Sequence, residues 1–307
     1  MWRMCVPAFI AGLCGCWQAE ERGDRRLEPW ETVSRFVEVE GHRLHVAGTG
    51  DGRDVVLLHG LGDSSVGWRF VAPDLAAMGY RVSAWDALGA GQSEKPADAD
   101  LTLPAHARRL LCLLDRLEIR RAVLVGHSLG GGLALLAAQM APERFDALVL
   151  LQPAAYPEAA EQDRWFWDAP LLADVVLGVL PSGYIARYGL KQNFADPARI
   201  PPELLDLYTR EARRPGAIAA FKSQERQLIF PDVERWIRGY GGIRCPVLIL
   251  WAEKDSLLPP GDGQRLAAAI PGARLITIPN CGHSPQLDAP ARVRAELGAF
   301  LEDVAPR

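Results

Sequence analysis

Cysteine is scarce in this 307-residue sequence: there are six, and three of them lie within the first 16 residues. No CxxC pair or His/Cys cluster suggests zinc, so no metal site is expected. Of the remaining three, Cys112 falls in a predicted helix, Cys245 opens a predicted strand and Cys281 follows the next strand. Because the last two would lie at opposite edges of a parallel sheet, we predict three free and mostly buried thiols rather than a disulfide.

An excess of charge of one sign is also missing. The chain has 34 Lys and Arg against 38 Asp and Glu, which gives a formal net charge of −4. The two signs are interspersed, so nothing favours nucleic acid as a partner. Internal repeats and low-complexity tracts are absent as well. The hydrophobic fraction is 49% and the charged fraction 23%, which is enough for a sizeable buried core.

The N-terminus lacks an apolar run long enough to cross a bilayer as a mature helix. It reads MWRMCVPAFIAGLCGCW: one arginine, a short apolar run and then LCGC. This order resembles a bacterial lipoprotein signal peptide, with Cys16 as the lipidated residue. We therefore expect residues 1–15 to be a signal peptide, residues 16–32 a flexible tether, and the protein to be exported and anchored to a membrane. The alternative is an uncleaved extension on a cytoplasmic protein.

Beyond the tether, strand-like and helix-like segments alternate. The stretch VSRFVEVEGHRLHVAGTG predicts a hairpin that turns near Glu40-Gly41. Apolar, strand-like runs follow in DVVLLHG, YRVSAWD, RAVLVG, FDALVLLQP, CPVLILWAE and ARLITIP, and helical segments separate them, the first over about 66–78. This order predicts βαβ units, a parallel sheet and helices on both of its faces.

The alternation stops between about 155 and 240, where strand character is low and prolines divide short helical stretches. An insertion there would lie over the carboxyl edge of the sheet, where ligands of open α/β folds bind. We predict a helical cap over 155–240, with 33–154 and 241–307 forming the core domain. Trp165, Phe166 and Trp167 are candidates for lining an apolar pocket; the alternative is that the aromatic residues of the cap form its own small core.

In VLVGHSLGGG, a serine with a glycine two residues before and two residues after it lies where a strand-like run changes to a helix-like one. A strand that turns abruptly into a helix leaves no room for a Cβ two residues before or after the turning residue. Gly126 and Gly130 supply that room around Ser128. The pattern is the G-x-S-x-G nucleophile elbow in its strand-to-helix context.

A serine nucleophile needs a base, and the base needs an acid to orient it. Of the six histidines, only His283 follows the last strand, where a loop can return it to the same sheet edge. Asp255 follows the strand at 247–251, with Glu253 as a rival in the same loop, whereas Gln152 and Pro153 after the preceding strand offer no carboxylate. The order Ser128, Asp255, His283 is the one expected for this type of triad.

The negative oxygen formed during acyl transfer needs N–H donors. The N–H of Leu129 lies at the start of the helix after Ser128, and a second donor is expected from the loop after VVLLHG, at Leu61. The alternative is that HGLG is an ordinary glycine turn.

Together these stretches resemble the α/β-hydrolase fold superfamily, and in particular its capped, lipase/esterase-like branch. The resemblance is carried by LLHGLGDSSVGW, WDALGAGQSEKP, VGHSLGGGLAL, WAEKDSLLPP and NCGHSPQLDAP, and covers about residues 33–303. It implies an eight-stranded sheet with an antiparallel second strand, a cap between strands six and seven, and no cofactor. Residues 86–93 match the family's tight turn after strand four and are interpreted as structural. In the haloalkane dehalogenase and epoxide hydrolase branches the nucleophile is Asp, so Ser128 argues against both.

The expected activity is therefore cleavage of carboxylic esters of small to medium apolar substrates through an acyl-enzyme on Ser128. The expected partner is a small-molecule ester. Two alternatives keep the same three residues: a C–C bond hydrolase and a cofactor-free perhydrolase. A third, from another class, is a ligand-binding protein built on an inactive hydrolase fold.

Overall fold

The computed structural model describes residues 30–158 and 180–304, together with residues 169, 175 and 177. The predictions for the signal peptide, for Cys16 and for Trp165, Phe166 and Trp167 lie outside the described residues. In the described part of the chain, no helix has both the length and the apolar character needed to cross a membrane.

A single eight-stranded sheet forms the centre of the described chain, in the order β1-β2-β4-β3-β5-β6-β7-β8. Strand β2 runs antiparallel to its neighbours β1 and β4, and the other pairs are parallel. The predicted eight-stranded, mostly parallel sheet is thus confirmed. The strands are β1 (Val33–Val39), β2 (His42–Thr49), β3 (Arg53–Leu58), β4 (Tyr80–Trp85), β5 (Ala122–His127), β6 (Phe145–Leu151), β7 (Val247–Ala252) and β8 (Arg274–Ile278).

Ten α-helices lie wholly within the described residues. Three precede β6, namely α1 (Ala72–Ala77), α2 (Leu103–Arg116) and α3 (Leu129–Met140). Four lie between β6 and β7, namely α4 (Ser182–Asn193), α5 (Pro202–Ala212), α6 (Ala217–Arg226) and α7 (Val233–Arg238). Three complete the chain, namely α8 (Asp262–Ala269), α9 (Pro285–Asp288) and α10 (Pro290–Asp303). We call the described residues 180–240, which carry α4 to α7, the cap segment.

The sheet is buried on both faces because successive side chains of a strand point to opposite sides. In β3, Val55 and Leu57 belong to a buried cluster that includes residues of α1 and α10. Val56 and Leu58 belong to a second cluster that includes residues of α2, α3 and α8. The nearly continuous apolar runs recognised in the sequence therefore reflect strands covered by helices on both sides.

Two local predictions are wrong. The segment predicted as one helix over about 66–78 is a 3₁₀ turn, Ser65–Trp68, followed by the short helix α1, which has Pro73 in its first turn. Proline is well tolerated there because its missing N–H would have no partner within the helix. The three cysteines are free, but Cys112 is exposed. It lies on the outer side of α2, whereas its neighbours Leu113 and Leu114 are buried.

The cap segment has a small buried cluster of its own. Phe194 and Tyr208 are buried there with leucines of α4 and α5. Val66 and Leu287, which lie outside the cap segment, belong to the same cluster. Val66 lies in the 3₁₀ turn after β3 and Leu287 in α9, so the cap segment packs on the two connections that follow β3 and β8. These are the loops that carry Leu61 and His283.

Candidate active site

Ser128 occupies the junction between β5 and α3 with a strained backbone, φ 50° and ψ −117°. An ideal Cβ on Gly126 would lie 2.3 Å from the Gly130 carbonyl oxygen, and one on Gly130 would lie 2.1 Å from the Leu58 oxygen. Both glycines are therefore required by close backbone packing. A non-glycine residue held in such a conformation is a common feature of functional sites, because the surrounding structure has to enforce it.

The structure brings Ser128, His283 and Asp255 together in one hydrogen-bonded chain. The Ser128 Oγ lies 3.0 Å from His283 Nε2, and His283 Nδ1 lies 2.8 Å from Asp255 Oδ2. The carboxylate accepts from Nδ1–H, which leaves Nε2 free to accept the serine proton. The side chains of His283 and Asp255 are 6% and 2% exposed, so these two groups are shielded from water, whereas Ser128 is partly exposed. Glu253, the rival acid, instead accepts the N–H of Asn280 at 2.9 Å.

Asp255 is held in its ionised form by its partners. Burial alone would raise its pKa, but the charge and hydrogen bond of His283 lower the pKa below its usual value. The N–H of Leu257 and the side-chain amide of Gln152 act in the same direction. A carboxylate that stays charged near neutral pH can stabilise a positive charge on the adjacent imidazole.

The neighbouring His127 supports the backbone of His283 rather than its ring. Its Nε2 lies 2.9 Å from the His283 carbonyl oxygen, to which it donates. Burial, with the charge of His283 as the second cause, lowers the pKa of His127 to about 3. His127 is therefore neutral at physiological pH and acts as a fixed donor.

The two predicted N–H donors lie on segments beside Ser128. Leu129 is the first residue of α3, where an N–H has no acceptor within the helix. An ideal Cβ on Gly60 would lie 3.2 Å from the Ser128 Cβ, so the loop that contains Leu61 passes directly against the serine. His59 fixes this loop: its Nδ1 donates to the Gly60 oxygen at 2.7 Å, and its Nε2 accepts the Ala87 N–H at 3.0 Å.

The loop that carries His283 is bonded to the cap segment on both sides of the histidine. Before it, Gly282 donates its N–H to Asp288 at 2.7 Å, and the same carboxylate oxygen accepts the Ala195 N–H at 3.0 Å. After it, the Ser284 hydroxyl donates to Asn193 Oδ1 at 2.8 Å. An ideal Cβ on Gly282 would lie 2.5 Å from the backbone of the cap segment, so glycine is required at this contact.

Sequence reasoning did not find Asn193, Asp288 or Gln152, which support the site. Asp288 lies within the quoted motif NCGHSPQLDAP, five residues after the histidine, but nothing in the local pattern shows which backbone groups its carboxylate accepts from. Asn193 ends α4 and is more than 60 residues away in sequence from both Ser128 and Asp255. Only their positions in the folded chain reveal the contacts.

A half-buried carboxyl joins the Leu61 loop to the cap segment. Asp63 Oδ1 accepts the Tyr208 hydroxyl at 2.9 Å and the Ser64 N–H at 2.8 Å. Burial raises the pKa of Asp63 to about 6, although the nearby His59 ring and both hydrogen bonds oppose the shift. The folded protein therefore binds this proton more tightly than the unfolded chain does.

Replacing this carboxyl by an amide should make stability less dependent on pH. Since the pKa of Asp63 is raised from 3.8 to about 6, its contribution to the free energy of unfolding is lost as pH rises from about 4 to about 6. We expect Asp63→Asn to raise the free energy of unfolding at pH 8 by on the order of 1–2 kcal/mol and to leave it unchanged near pH 4. Denaturant titrations at both pH values test this, with exposed Asp51→Asn as the control. A gain of equal size at both pH values would contradict it.

Within the described residues, no group of three or more His, Cys, Asp or Glu side chains is placed to hold a metal ion. The sheet order, the elbow and the hydrogen-bonded chain define an α/β hydrolase. The profile of the α/β hydrolase fold family matches residues 55–290, and the chain belongs to this family.

Named relatives agree with this assignment. The chain is similar to the 2-hydroxymuconate semialdehyde hydrolase of Pseudomonas sp. strain CF600, with 31% identity over 88% of this chain and 94% of the relative. It is also 31% identical to the 2-hydroxy-6-oxo-6-phenylhexa-2,4-dienoate hydrolase of Burkholderia cepacia, over 83% of this chain and 91% of the relative. Among solved structures, an α/β hydrolase fold protein from Burkholderia ambifaria superposes with a TM-score of 0.73 at 31% identity, covering 86% and 96% of the two chains. The fold and these names support a hydrolase.

Proposed function

We propose that the protein is a serine hydrolase that cleaves carboxylic esters through an acyl-enzyme. The observation that carries the proposal is the unbroken chain from Ser128 Oγ to His283 and Asp255, at the carboxyl edge of the sheet and on a strained elbow. Such an arrangement can lower the barrier only for a substrate with an electrophilic centre that serine can attack, and an ester carbonyl meets this requirement.

The proposed reaction has two halves. In the first, Ser128 Oγ bonds to the carbonyl carbon while His283 Nε2 takes the hydroxyl proton, and the N–H groups of Leu129 and Leu61 stabilise the negative oxygen. The ester C–O bond then breaks, and His283 returns the proton to the departing alcohol. In the second half, His283 removes a proton from water, the resulting hydroxide attacks the acyl carbon, and the carboxylic acid leaves as Ser128 regains its proton.

An apolar substrate is favoured by the residues next to the Leu61 loop. The ring of Phe221, on α6, lies 3.1 Å from the ideal Cβ position of Gly62, the residue after Leu61. This ring places an apolar group one residue away from Leu61, the proposed N–H donor. We therefore propose small to medium apolar acyl or alcohol groups rather than highly charged ones.

A second candidate is hydrolysis of a C–C bond in a vinylogous diketone. It is favoured by the names of the two relatives above, each 31% identical over more than four fifths of this chain. The chemistry would start from the same Ser128, and a carbanion would replace the alcohol as the leaving group. In this reaction the leaving carbon has to be protonated, whereas in ester cleavage the proton goes to the leaving oxygen.

One assay separates the two candidates. Purified protein is incubated with p-nitrophenyl esters of rising chain length and, in parallel, with a ring-cleavage product that carries a vinylogous diketone, with Ser128→Ala as the control. We expect ester turnover that peaks above acetate and is absent from the variant. A kcat/KM for the diketone that exceeds the best ester would assign the second candidate, and equal rates for Ser128→Ala and the wild type would overturn both.

A further inference from the structure

Gln152 follows β6 with its side chain fully buried and its backbone in the left-handed region, at φ 44°. It is the counterpart of Ser128, which follows β5 with φ 50°. The two strands are in register at this edge, since His127 pairs with Leu151, and the Gln152 N–H donates to the Leu250 oxygen of β7 at 3.0 Å. Two neighbouring strands thus both end in a strained residue beside the candidate active site.

The side chain of Gln152 uses both ends of its amide. Its Oε1 accepts the N–H of Ala252, the last residue of β7, at 2.6 Å. Its Nε2 donates to Asp255 Oδ2, the same carboxylate oxygen that accepts from His283 Nδ1. The other oxygen, Oδ1, accepts the N–H groups of Leu257 at 2.6 Å and Leu258 at 3.3 Å. The Asp255 carboxylate is therefore fixed at both oxygens, and Gln152 is the side chain that fixes the oxygen facing the histidine.

We infer that Gln152 is a positioning residue for the proposed triad: it holds Asp255 Oδ2 in line with His283 Nδ1, an inference that rests on the proposed function. A buried glutamine could serve stability alone by capping the end of β7 through Oε1. That role requires only the acceptor end of the amide. The buried donor end also needs an acceptor, and the acceptor it has is the carboxylate oxygen that binds the histidine.

A change of charge at this position should therefore alter the pH dependence of the reaction. Gln152→Glu keeps the shape and the acceptor for Ala252 but places a carboxylate against Asp255 Oδ2. Two carboxylates at hydrogen-bond distance share one proton, and the pair loses that proton at a higher pH than a single carboxylate does. Among the described residues, the titratable groups that interact with Asp255 are His283, His127 and Cys281.

The test compares Gln152→Glu and Gln152→Met with Gln139→Met, a control in α3 whose amide donates to the Leu135 carbonyl of its own helix. Two readouts are taken against pH: kcat and KM for a p-nitrophenyl ester, and the rate at which a fluorophosphonate probe labels Ser128. We expect the acid limb of both profiles to move up by about one pH unit in Gln152→Glu. We expect Gln152→Met to lose about 10-fold in kcat with KM unchanged, and Gln139→Met to retain wild-type values.

An acid limb that does not move in folded Gln152→Glu, or wild-type kcat in folded Gln152→Met, would overturn the inference and leave the proposed function standing. If one of these variants does not fold, the other decides by its own criterion. A wild-type protein that neither hydrolyses the ester nor is labelled at Ser128 would instead refute the proposed function, and the role of Gln152 with it.

Discussion

Replacing Ser128 by alanine is expected to reduce kcat by about 10⁴-fold or more while the protein remains folded. The hydroxyl is the atom that would bond to the substrate, and no other side chain in the hydrogen-bonded chain can take its place. Steady-state kinetics on a p-nitrophenyl ester and fluorophosphonate labelling measure the loss. Removing His283 as well should cost little more, because residues that act as a unit give strongly non-additive effects.

A second substitution at the same position separates chemistry from strain. Ser128 holds φ 50° and ψ −117°, a conformation that glycine adopts at much lower cost than other residues. Ser128→Gly should therefore be as inactive as Ser128→Ala but more stable than it by on the order of 1 kcal/mol. Urea titrations of the two variants give this difference. Substantial residual kcat in either variant would show that the nucleophile is elsewhere.

Adding one methyl group at Gly130 is expected to be strongly destabilising. An ideal Cβ there would lie 2.1 Å from the Leu58 oxygen and 2.6 Å from the His59 oxygen, and both are backbone atoms that cannot rotate away. To accept it, α3 would have to move away from β3, and Leu129 and Ser128 would move with it. We expect Gly130→Ala to destabilise the protein by about 3 kcal/mol or more and to abolish activity.

Gly189→Ala is the matched control, because Gly189 lies inside α4 and nothing would come within 4 Å of an added Cβ. Alanine in a helix interior is better than glycine by roughly 0.5–1 kcal/mol, so this variant should be slightly more stable than the wild type. Thermal melts of the two variants and the wild type give the comparison. If Gly130→Ala melts with the wild type, the close approach of α3 to β3 is incorrect.

Hydrogen bonds and an ion pair join the cap segment to the loop that carries His283. Asn193, Ala195 and Arg199 all contact this loop, and the guanidinium of Arg199 lies 2.7 Å from Asp288. Any movement of the histidine loop relative to the cap segment would have to break these hydrogen bonds.

The sequence by itself was sufficient for the order of elements, the elbow and the three residues of the hydrogen-bonded chain. These depend on signals that are local or periodic: apolar runs of strand length, glycines two residues on either side of a serine, and polar residues directly after a strand. In a parallel sheet such residues must meet at one edge, whatever the detailed packing. That geometric rule is why Ser128 and His283, 155 residues apart, can be paired from the sequence alone.

Other features were decided only by the tertiary structure. The sequence shows only that Gln152 offers no carboxylate; its contact with Asp255, 103 residues away, depends on a buried rotamer and on the path of the loop after β7. The interruption of the predicted 66–78 helix and the contacts of Asp288 with the cap segment are of the same kind. Each depends on which atoms two distant segments present to one another when they pack. A linear pattern does not encode that, because hydrogen-bond donors and acceptors of the same types occur throughout the chain.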